Sequence, residues 1–388
     1  MIRILPVVVS TSVARPRPRV GGVTDVRRWD VPGRVNLIGE HLDYNGGPVL
    51  PLAIDRSVTV KARGRDDGTV NVWSDLPGAA KVSFPVTVRP GDLDGWASYV
   101  AGTIWSLAER GHRVAGADLV IESRLPSGAG LSSSAATTCG VASALDDLFD
   151  LGLDRTTVAL VAQQAESGFV GAPVGLMDQL AVLHGTAGHA VLIDTAVTPH
   201  TTTQVPLGWE DDGLVLAVIA TGAHHALADG EYAARRDECE RAAAELGLEW
   251  LAQAGLDATV RLEDETLKAR TRHVLTETAR VRGAVNAVSR RAWPQLGTIL
   301  TASHASLRDD FEVSCPELDV AVEAALEAGA LGARMTGGGF GGSAIALLEP
   351  GQVQGLRERV DARYAAHQWS RPEVFVVHAA DGAHQVPN

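Results

Sequence analysis

A loop built almost only from small residues constrains the fold of this chain more than any other segment. It occupies residues 126–134, between a predicted strand at 118–123 and a predicted helix at 133–150. Small side chains let backbone N–H groups approach a ligand closely, and the first turn of a helix adds a partial positive charge. Consecutive serine hydroxyls suit phosphate oxygens or a magnesium ion. The loop predicts a phosphate site, although such a loop alone is more often an ordinary turn before a serine-capped helix. It has no lysine for a P-loop, and Ser133 stands where a dinucleotide motif needs its third glycine.

The other predicted elements mix strands and helices without regular alternation, which indicates an α+β fold. Further strands are predicted at 58–63, 69–74, 81–86, 214–220, 333–336, 343–348 and 374–377, and further helices at 96–110, 155–170, 231–246, 263–288 and 316–328. A threonine-rich stretch at 195–203 predicts a boundary between an N-terminal domain, residues 24–194, and a C-terminal domain, residues 195–388. Residues 1–23 are predicted to be a disordered extension or an upstream start site. They are not interpreted as a targeting peptide, because in such a peptide the positive charges precede the apolar run, whereas the arginines here follow it.

Composition limits the possible partners. A chain of 388 residues is long enough for two domains, and its net charge of −13 argues against nucleic acid or an anionic membrane as a partner. An anionic nucleotide would therefore need local cations, a metal or helix N-termini. The three cysteines, Cys139, Cys239 and Cys315, are widely spaced and predict reduced thiols in a cytoplasmic protein. No apolar run approaches the ~20 residues that a membrane span needs.

A second segment, residues 32–47, concentrates ionisable side chains and glycines. Glu40, His41 and Asp43 lie close together, with Leu42 as the apolar residue among them. Like charges so close are unfavourable unless a ligand uses them. Carboxylates accept hydrogen bonds and an imidazole can donate or accept, so the ring of hydroxyls on a sugar is a suitable ligand. A random segment of this kind would more often be a polar surface turn after a strand.

The segment at 32–47 closely resembles the signature of galactokinases, in the GHMP family of small-molecule kinases. The loop resembles the phosphate motif of that family at Pro126, Gly130, Leu131, Ser133, Ser134 and Ala135. Residues 336–342 resemble its C-terminal glycine-rich loop, and residues 303–319 resemble galactokinases in particular. The resemblance extends from about residue 29 to residue 348. It implies a two-domain GHMP kinase fold with the active site in the cleft between the domains.

The same resemblance implies ATP-dependent phosphorylation of galactose at the anomeric 1-hydroxyl, as the first committed step of galactose catabolism, with Mg²⁺ and no obligate protein partner. The implied catalytic residues are Asp178 and Arg34, and the implied magnesium ligands are Ser134 and Glu166. The implied sugar-binding residues are Glu40, His41, Leu42, Asp43, Gly175 and Tyr232. The implied nucleotide-binding residues are Ser74, Trp96, Tyr99, Gly128, Ala129, Gly130, Leu131, Ser132, Ser133 and Ser134.

Two departures from the family pattern keep alternatives open. Leu42 replaces the usual threonine, and aliphatic residues occur there in N-acetylgalactosamine kinases, while residues 45–47 follow the galactose pattern. The usual N-terminal helix is also missing, which leaves the packing of residues 1–28 undetermined. Phosphorylation of N-acetylgalactosamine or another hexose is one alternative. A non-catalytic sensor of galactose and ATP is another, although such sensors can carry a shortened loop and this loop is complete.

Overall fold

A six-stranded sheet forms the frame of the first half of the chain. The computed structural model describes residues 26–76, 78–224, 228–255 and 257–387, so the predicted extension at 1–23 lies outside the described residues. The strands of this sheet are β1 (Arg27–Asn36), β2 (Pro51–Gly64), β3 (Thr69–Ser74), β4 (Val82–Pro85), β5 (Ala117–Ser123) and, from the chain's end, β12 (His384–Gln385). Their order is β12-β1-β2-β5-β3-β4, and only the β3–β5 pair among them is parallel.

Four helices accompany this sheet: α1 (Ala97–Glu109), α2 (Ser133–Phe149), α3 (Arg155–Gln164) and α4 (Met177–His184). Helix α2 packs on β1 and β2 and is rich in small buried residues. A Cβ on Gly140 of this helix would lie only 2.7 Å from a Val60 side-chain carbon, so the close approach of α2 to the sheet requires glycine there. This packing fixes the phosphate loop, because that loop leads directly into α2.

A four-stranded sheet forms the frame of the second half, in the order β11-β8-β10-β9. Its strands are β8 (Val215–His224), β9 (Gly332–Thr336), β10 (Gly341–Leu348) and β11 (Glu373–Val377). The helices of this half are α5 (Ala228–Leu246), α6 (Ala258–Arg261), α7 (Glu265–Ser289), α8 (Trp293–Asp309), α9 (Pro316–Glu327) and α10 (Val353–Ala366). Helices α8 and α9 pack on the sheet, and α5 packs on α7. The α+β prediction is thereby confirmed.

The two halves are connected at several points besides the chain itself. Strand β12 pairs with β1, so the last residues of the chain return to the first sheet. A separate hairpin of β6 (His189–Asp194) and β7 (Thr201–Pro206) occupies part of the predicted boundary at 195–203. The division into domains at residues 194 and 195 stays a prediction.

Two further predictions concern the cysteines and membrane spans. Cys139, Cys239 and Cys315 are all free and buried, as expected for reduced thiols. Within the part of the chain that the structure describes, no helix has both the length and the apolar character to cross a membrane.

Candidate active site

A cavity of about 180 Å³ opens where the two halves of the chain meet. Its wall combines the turn after β1, the start of α4, helix α5 and the glycine-rich loop between β9 and β10. Seven predicted site residues line it: Arg34, Glu40, His41, Asp43, Gly175, Asp178 and Tyr232. Val174, Met177, Gly337 and Gly338 complete the lining. Predictions made from separate motifs therefore converge on one cavity with several ionisable groups in its wall.

The turn after β1, residues 39–47, has a backbone that few residue types adopt readily. Gly39 has φ of 107°, which glycine tolerates without steric cost. His41 has φ of 63°, an uncommon left-handed conformation for a residue with a side chain. The carbonyl of Leu42 accepts the N–H groups of Asn45 at 2.9 Å and Gly47 at 3.0 Å, and these bonds close the turn. The turn thereby directs the side chains of Glu40, His41 and Asp43 towards the cavity.

Leu42 does not join them. Its side chain is fully buried, and a Cβ on Gly47 would lie 3.1 Å from the Leu42 Cβ. Among the described residues that line the cavity Leu42 does not occur. The side chain therefore packs beneath the turn, because an apolar group there gains more from burial than from facing a polar cavity. The assignment of Leu42 to the sugar site stays a prediction, and its side chain lies behind the cavity wall.

Glu40 ties the turn to the second half of the chain. Its Oε1 accepts the Gly337 N–H at 2.9 Å, and its Oε2 lies 2.5 Å from Arg334 Nη2 in an ion pair without a well-directed hydrogen bond. Both side chains are at most 1% exposed. Burial raises the pKa of Glu40, and the Arg334 charge acts against that shift. Glu40 therefore serves two purposes: it borders the cavity and it holds the glycine-rich loop.

Asp43 and Gly175 are in direct contact. A Cβ on Gly175 would lie 1.8 Å from Asp43 Oδ2, so the carboxylate occupies the space that any other residue at 175 would need. The Met177 N–H at the start of α4 also bonds the Asp43 carboxylate. Burial and the nearby Asp178 charge raise the pKa of Asp43 to about 6. The glycine is therefore required by a carboxylate that faces the cavity.

Asp178 lies in the first turn of α4, where the helix dipole stabilises a negative charge. Arg34 holds it with two parallel bonds, Nε to Oδ1 at 2.8 Å and Nη2 to Oδ2 at 2.9 Å. The Ser132 hydroxyl donates a third bond to Oδ2 at 2.5 Å. Ser132, predicted from the sequence to bind nucleotide, thus directs its hydroxyl to the carboxylate, and its backbone belongs to the phosphate loop.

The phosphate loop, residues 126–134, is held from two sides. Arg34 Nη1 donates to the Gly130 carbonyl at 2.6 Å, and the Ser343 hydroxyl donates to the Ala129 carbonyl at 2.6 Å. The glycine-rich loop at 336–342 lies against it, since a Cβ on Gly342 would stand 3.7 Å from the Gly130 Cα. Gly130 itself has φ of 68°. The loop is therefore preformed at the edge of the sugar-sized cavity.

A second cavity of about 140 Å³ lies on the other side of this loop. Its lining includes three of the predicted nucleotide-binding residues, Ser74, Trp96 and Tyr99. Ser133 and Ser134 of the phosphate loop line it too. A planar apolar group bound against Trp96 and Tyr99 would therefore have its polar substituents near the loop.

Glu166 is buried beside the phosphate loop. It lies in a π-helical turn, Ala165–Val170, that continues α3, a type of irregularity found often at functional sites. Its Oε1 accepts Gln179 Nε2 at 2.8 Å, and the Ser134 hydroxyl also bonds its carboxylate. Burial raises the pKa of Glu166 to about 7. The two predicted magnesium ligands are thus in contact and offer only oxygen atoms, which a hard cation prefers.

Sequence reasoning missed the groups that anchor the turn from the second half. Arg334 Nη1 donates to the carbonyls of Asn36 at 3.3 Å and Leu37 at 3.1 Å. The Gly39 N–H donates to Glu277 Oε1 at 3.0 Å, and His273 Nε2 lies 3.2 Å from the Glu40 carbonyl. These residues on α7 and β9 carry no signal of this role in the sequence, because the buried face of α7 mixes polar and charged residues with apolar ones.

Comparison with known families agrees with this arrangement of a sugar-sized cavity beside a phosphate loop. The models for the GHMP kinases N terminal domain and the GHMP kinases C terminal match residues 98–186 and 284–366. A crystal structure of Leishmania major mevalonate kinase in complex with R-mevalonate shares the fold, with a TM-score of 0.64 at 19% identity over 94% of this chain and 98% of that one. The class defined by fold and site is a GHMP small-molecule kinase.

Narrower similarities identify the group within that class. The galactokinase galactose-binding signature matches residues 20–63. Galactokinases of Streptomyces coelicolor and Mycobacterium tuberculosis are 44% and 41% identical, covering 92% of this chain and 94% and 98% of theirs. The structure of Lactococcus lactis galactokinase complexed with galactose superposes with a TM-score of 0.87 at 33% identity, over 94% of this chain and 96% of that one. The chain belongs to the galactokinase family.

Proposed function

We propose that this protein transfers the γ-phosphoryl group of ATP to the anomeric 1-hydroxyl of D-galactose, giving galactose 1-phosphate and ADP. The observation that carries the proposal is the position of Asp178. Its carboxylate lines the sugar-sized cavity and accepts a hydrogen bond from Ser132 of the phosphate loop. A hydroxyl bound in the cavity and a phosphoryl group bound on the loop would therefore meet at this side chain.

Asp178 and Arg34 act as a pair in this proposal. Asp178 accepts the proton of the sugar hydroxyl as the new O–P bond forms, and positioned general bases contribute a factor of about 10²–10⁴ in rate. Arg34 keeps the carboxylate in place with two bonds, and its third nitrogen reaches the loop carbonyl of Gly130. The Arg34 side chain is only 5% exposed, and its positive charge also stabilises the negative charge of the transferring phosphoryl group.

The sugar is bound by polar groups from both halves of the chain. Glu40 and Asp43 supply acceptors for its hydroxyls, and Tyr232 supplies a hydroxyl and an aromatic face. Gly175 leaves room for the Asp43 carboxylate. A buried site arranged to bond one hydroxyl rejects a misplaced one strongly, because its own polar groups would then be unpaired. We therefore expect a large preference for galactose over its 4-epimer, glucose.

ATP binds in the second cavity and along the phosphate loop. The adenine occupies the pocket at Trp96, Tyr99 and Ser74, and the phosphates lie on residues 126–134. Ser134 and Glu166 fit Mg²⁺, because their oxygens are in contact and Glu166 is 2% exposed. A magnesium ion held there would supply charge neutralisation for the β- and γ-phosphates.

One assay tests the proposal. ADP release is measured with the purified chain, ATP and Mg²⁺ against galactose, glucose and N-acetylgalactosamine, and the phosphorylated position is read by ³¹P and ¹³C NMR. We expect galactose to have the highest kcat/KM and the product to be the 1-phosphate. ADP release that no sugar of the panel stimulates would refute the kinase activity. A kcat/KM for N-acetylgalactosamine at or above that for galactose would refute the choice of substrate alone.

A further inference from the structure

The side chain of His41 has hydrogen-bond partners on both of its nitrogens. Nδ1 lies 2.8 Å from the hydroxyl of Tyr44, three residues later in the same turn. Nε2 lies 3.2 Å from the carbonyl oxygen of Gly338, in the glycine-rich loop of the second half. His41 is 4% exposed and Tyr44 is 6% exposed, so neither group has free access to bulk water.

The chemistry of these partners decides the tautomer of His41. A carbonyl oxygen can only accept, so Nε2 must carry the hydrogen. Burial lowers the pKa of His41 to about 3, and a neutral imidazole has one N–H only. Nδ1 is therefore the acceptor, and the Tyr44 hydroxyl is its donor. Both nitrogens are used by the protein, which leaves the face and the C–H edge of the ring for a ligand in the cavity.

Aromatic packing holds the pair in place. The His41 ring lies 4.6 Å from the Phe311 ring and 5.3 Å from the Tyr232 ring, measured between centroids. Tyr44 meets Tyr232 edge-on at 5.8 Å. A Cβ on Gly338 would lie 3.2 Å from the Tyr232 ring, so these rings and the Gly338 backbone form one continuous wall. A change in the orientation of the His41 ring would therefore shift the Gly338 backbone.

We infer that Tyr44 is a positioning residue: its hydroxyl holds His41 in the Nε2–H form, and that form fastens the glycine-rich loop at Gly338 to the sugar-binding turn. The glycine-rich loop is also held by Glu40, which bonds the Gly337 N–H, and by the Phe340 N–H, which donates to the Val313 carbonyl at 2.7 Å. The His41 contact adds an attachment at the Gly338 carbonyl, in the part of the loop that borders the cavity. The kinetic consequences rest on the proposed function, but the tautomer itself does not.

The first test reads the tautomer directly and needs no activity. Ring nitrogens of ¹⁵N-histidine-labelled protein are observed without ligands, and the His41 signals are assigned by their loss in His41→Gln. We expect Nε2 to be protonated and Nδ1 unprotonated in the wild type. In Tyr44→Phe we expect part of the population to shift to the Nδ1–H form, because of the two contacts only the one with the Gly338 carbonyl then still favours the Nε2–H form. Identical His41 shifts in both proteins would overturn the inference.

The second test measures galactose and ATP kinetics in the same variants. An unpaired buried acceptor is costly, so we expect Tyr44→Phe to raise the KM for galactose about tenfold and to leave that for ATP within about twofold. Tyr364→Phe is the matched control, since Tyr364 is 1% exposed and its hydroxyl donates to the Glu317 carbonyl at 2.6 Å, outside the cavity. This control should leave the KM for galactose unchanged. An equal rise in both variants would overturn the inference.

A double-mutant cycle tests whether Tyr44 acts through His41. His41→Gln keeps an N–H donor near the Nε2 position but has no acceptor at Nδ1. In that background Tyr44→Phe should change the KM for galactose by less than about twofold. A full tenfold effect in the His41→Gln protein would show that Tyr44 acts by another route. A wild type without sugar kinase activity would refute the proposed function and leave the tautomer result as the test.

Discussion

Adding a single methyl group at residue 175 should lower the activity of this protein and leave its stability almost unchanged. In Gly175→Ala the new Cβ would lie 1.8 Å from Asp43 Oδ2 and 2.6 Å from its Cγ. Contacts of a Cβ below 3.0 Å do not persist, so the carboxylate would have to retreat by about 1.2 Å. The atom that moves is the end of a side chain with rotatable bonds, and the backbone need not follow it.

The expected magnitudes differ for the two properties. A misplacement of about 1 Å in a binding or reacting group can cost about 10²-fold in rate. We therefore expect kcat/KM for galactose to fall about a hundredfold, which corresponds to about 2.7 kcal/mol of transition-state stabilisation. The free energy of unfolding should change by less than about 1 kcal/mol, because no backbone clash is introduced. ATP affinity should be unchanged, since the adenine pocket does not include this residue.

The assay compares kcat/KM for galactose with thermal unfolding in Gly175→Ala and in a matched control. Gly355→Ala is suitable, because Gly355 lies within α10 and a Cβ there would meet no atom within 4 Å. The control should keep full activity and gain up to about 1 kcal/mol from helix propensity. The reasoning is refuted if Gly175→Ala keeps kcat/KM within about threefold of the wild type, or if it loses its cooperative unfolding transition.

Three further predictions follow from the same site. Asp178→Asn should lower kcat by about 10²–10⁴ while the protein stays folded. As a control, Asp118→Asn removes a carboxylate that pairs with arginines outside the site and should leave kcat unchanged. Equal kcat values for the two variants would contradict the role of Asp178 as the base. Glu166→Ala should raise the Mg²⁺ concentration for half-maximal activity at least about tenfold, and an unchanged Mg²⁺ titration would contradict the assignment. Because the pKa of Asp43 is raised to about 6, its carboxylate is protonated below that pH, and kcat/KM for galactose should fall as pH drops through about 6. In Asp43→Asn, kcat/KM should be low and independent of pH in this range. A wild-type kcat/KM that does not change with pH would contradict the prediction.

The fold could be predicted best where strand-forming residues are bounded by clear turn signals. β3 was predicted with the bounds that the structure has, Thr69–Ser74, because its β-branched and aromatic residues follow an Asp-Asp-Gly turn and precede a Pro-Gly turn. β7, Thr201–Pro206, was read as part of a polar boundary, since five of its six residues are not buried and it shows no apolar alternation. Helix α8 was recognised only as a family segment, because its buried face includes Ser303 and His304 as well as apolar residues. Its helical period was therefore hidden.

The candidate site could be predicted where its residues lie in contiguous motifs. The turn at 39–47, the phosphate loop and the start of α4 each carry local patterns. The structure brings the turn and the start of α4 to one cavity, and Arg34 of that cavity bonds the Gly130 carbonyl of the phosphate loop. Sequence adjacency to His41 and Asp43 does not say on which side of a tight turn the Leu42 side chain lies, and only the structure shows that it packs away from the cavity. Arg334 was missed because its partners are about three hundred residues away, and only the packing of β9 against the end of β1 brings them together.

The buried charges of this site are better explained by geometry than by stability. Arg334 and Glu40 are almost completely buried, and replacing such pairs by apolar residues often leaves a protein as stable or more so. An apolar pair could not orient its neighbours through directional hydrogen bonds. Arg334 bonds two carbonyls at the end of β1 and pairs with Glu40, and Glu40 in turn bonds the Gly337 N–H. This series of hydrogen bonds fixes the distances between the turn, the glycine-rich loop and the end of the strand. A site needs such fixed distances if it is to bind a sugar with one pattern of hydroxyls and reject the epimer of that sugar.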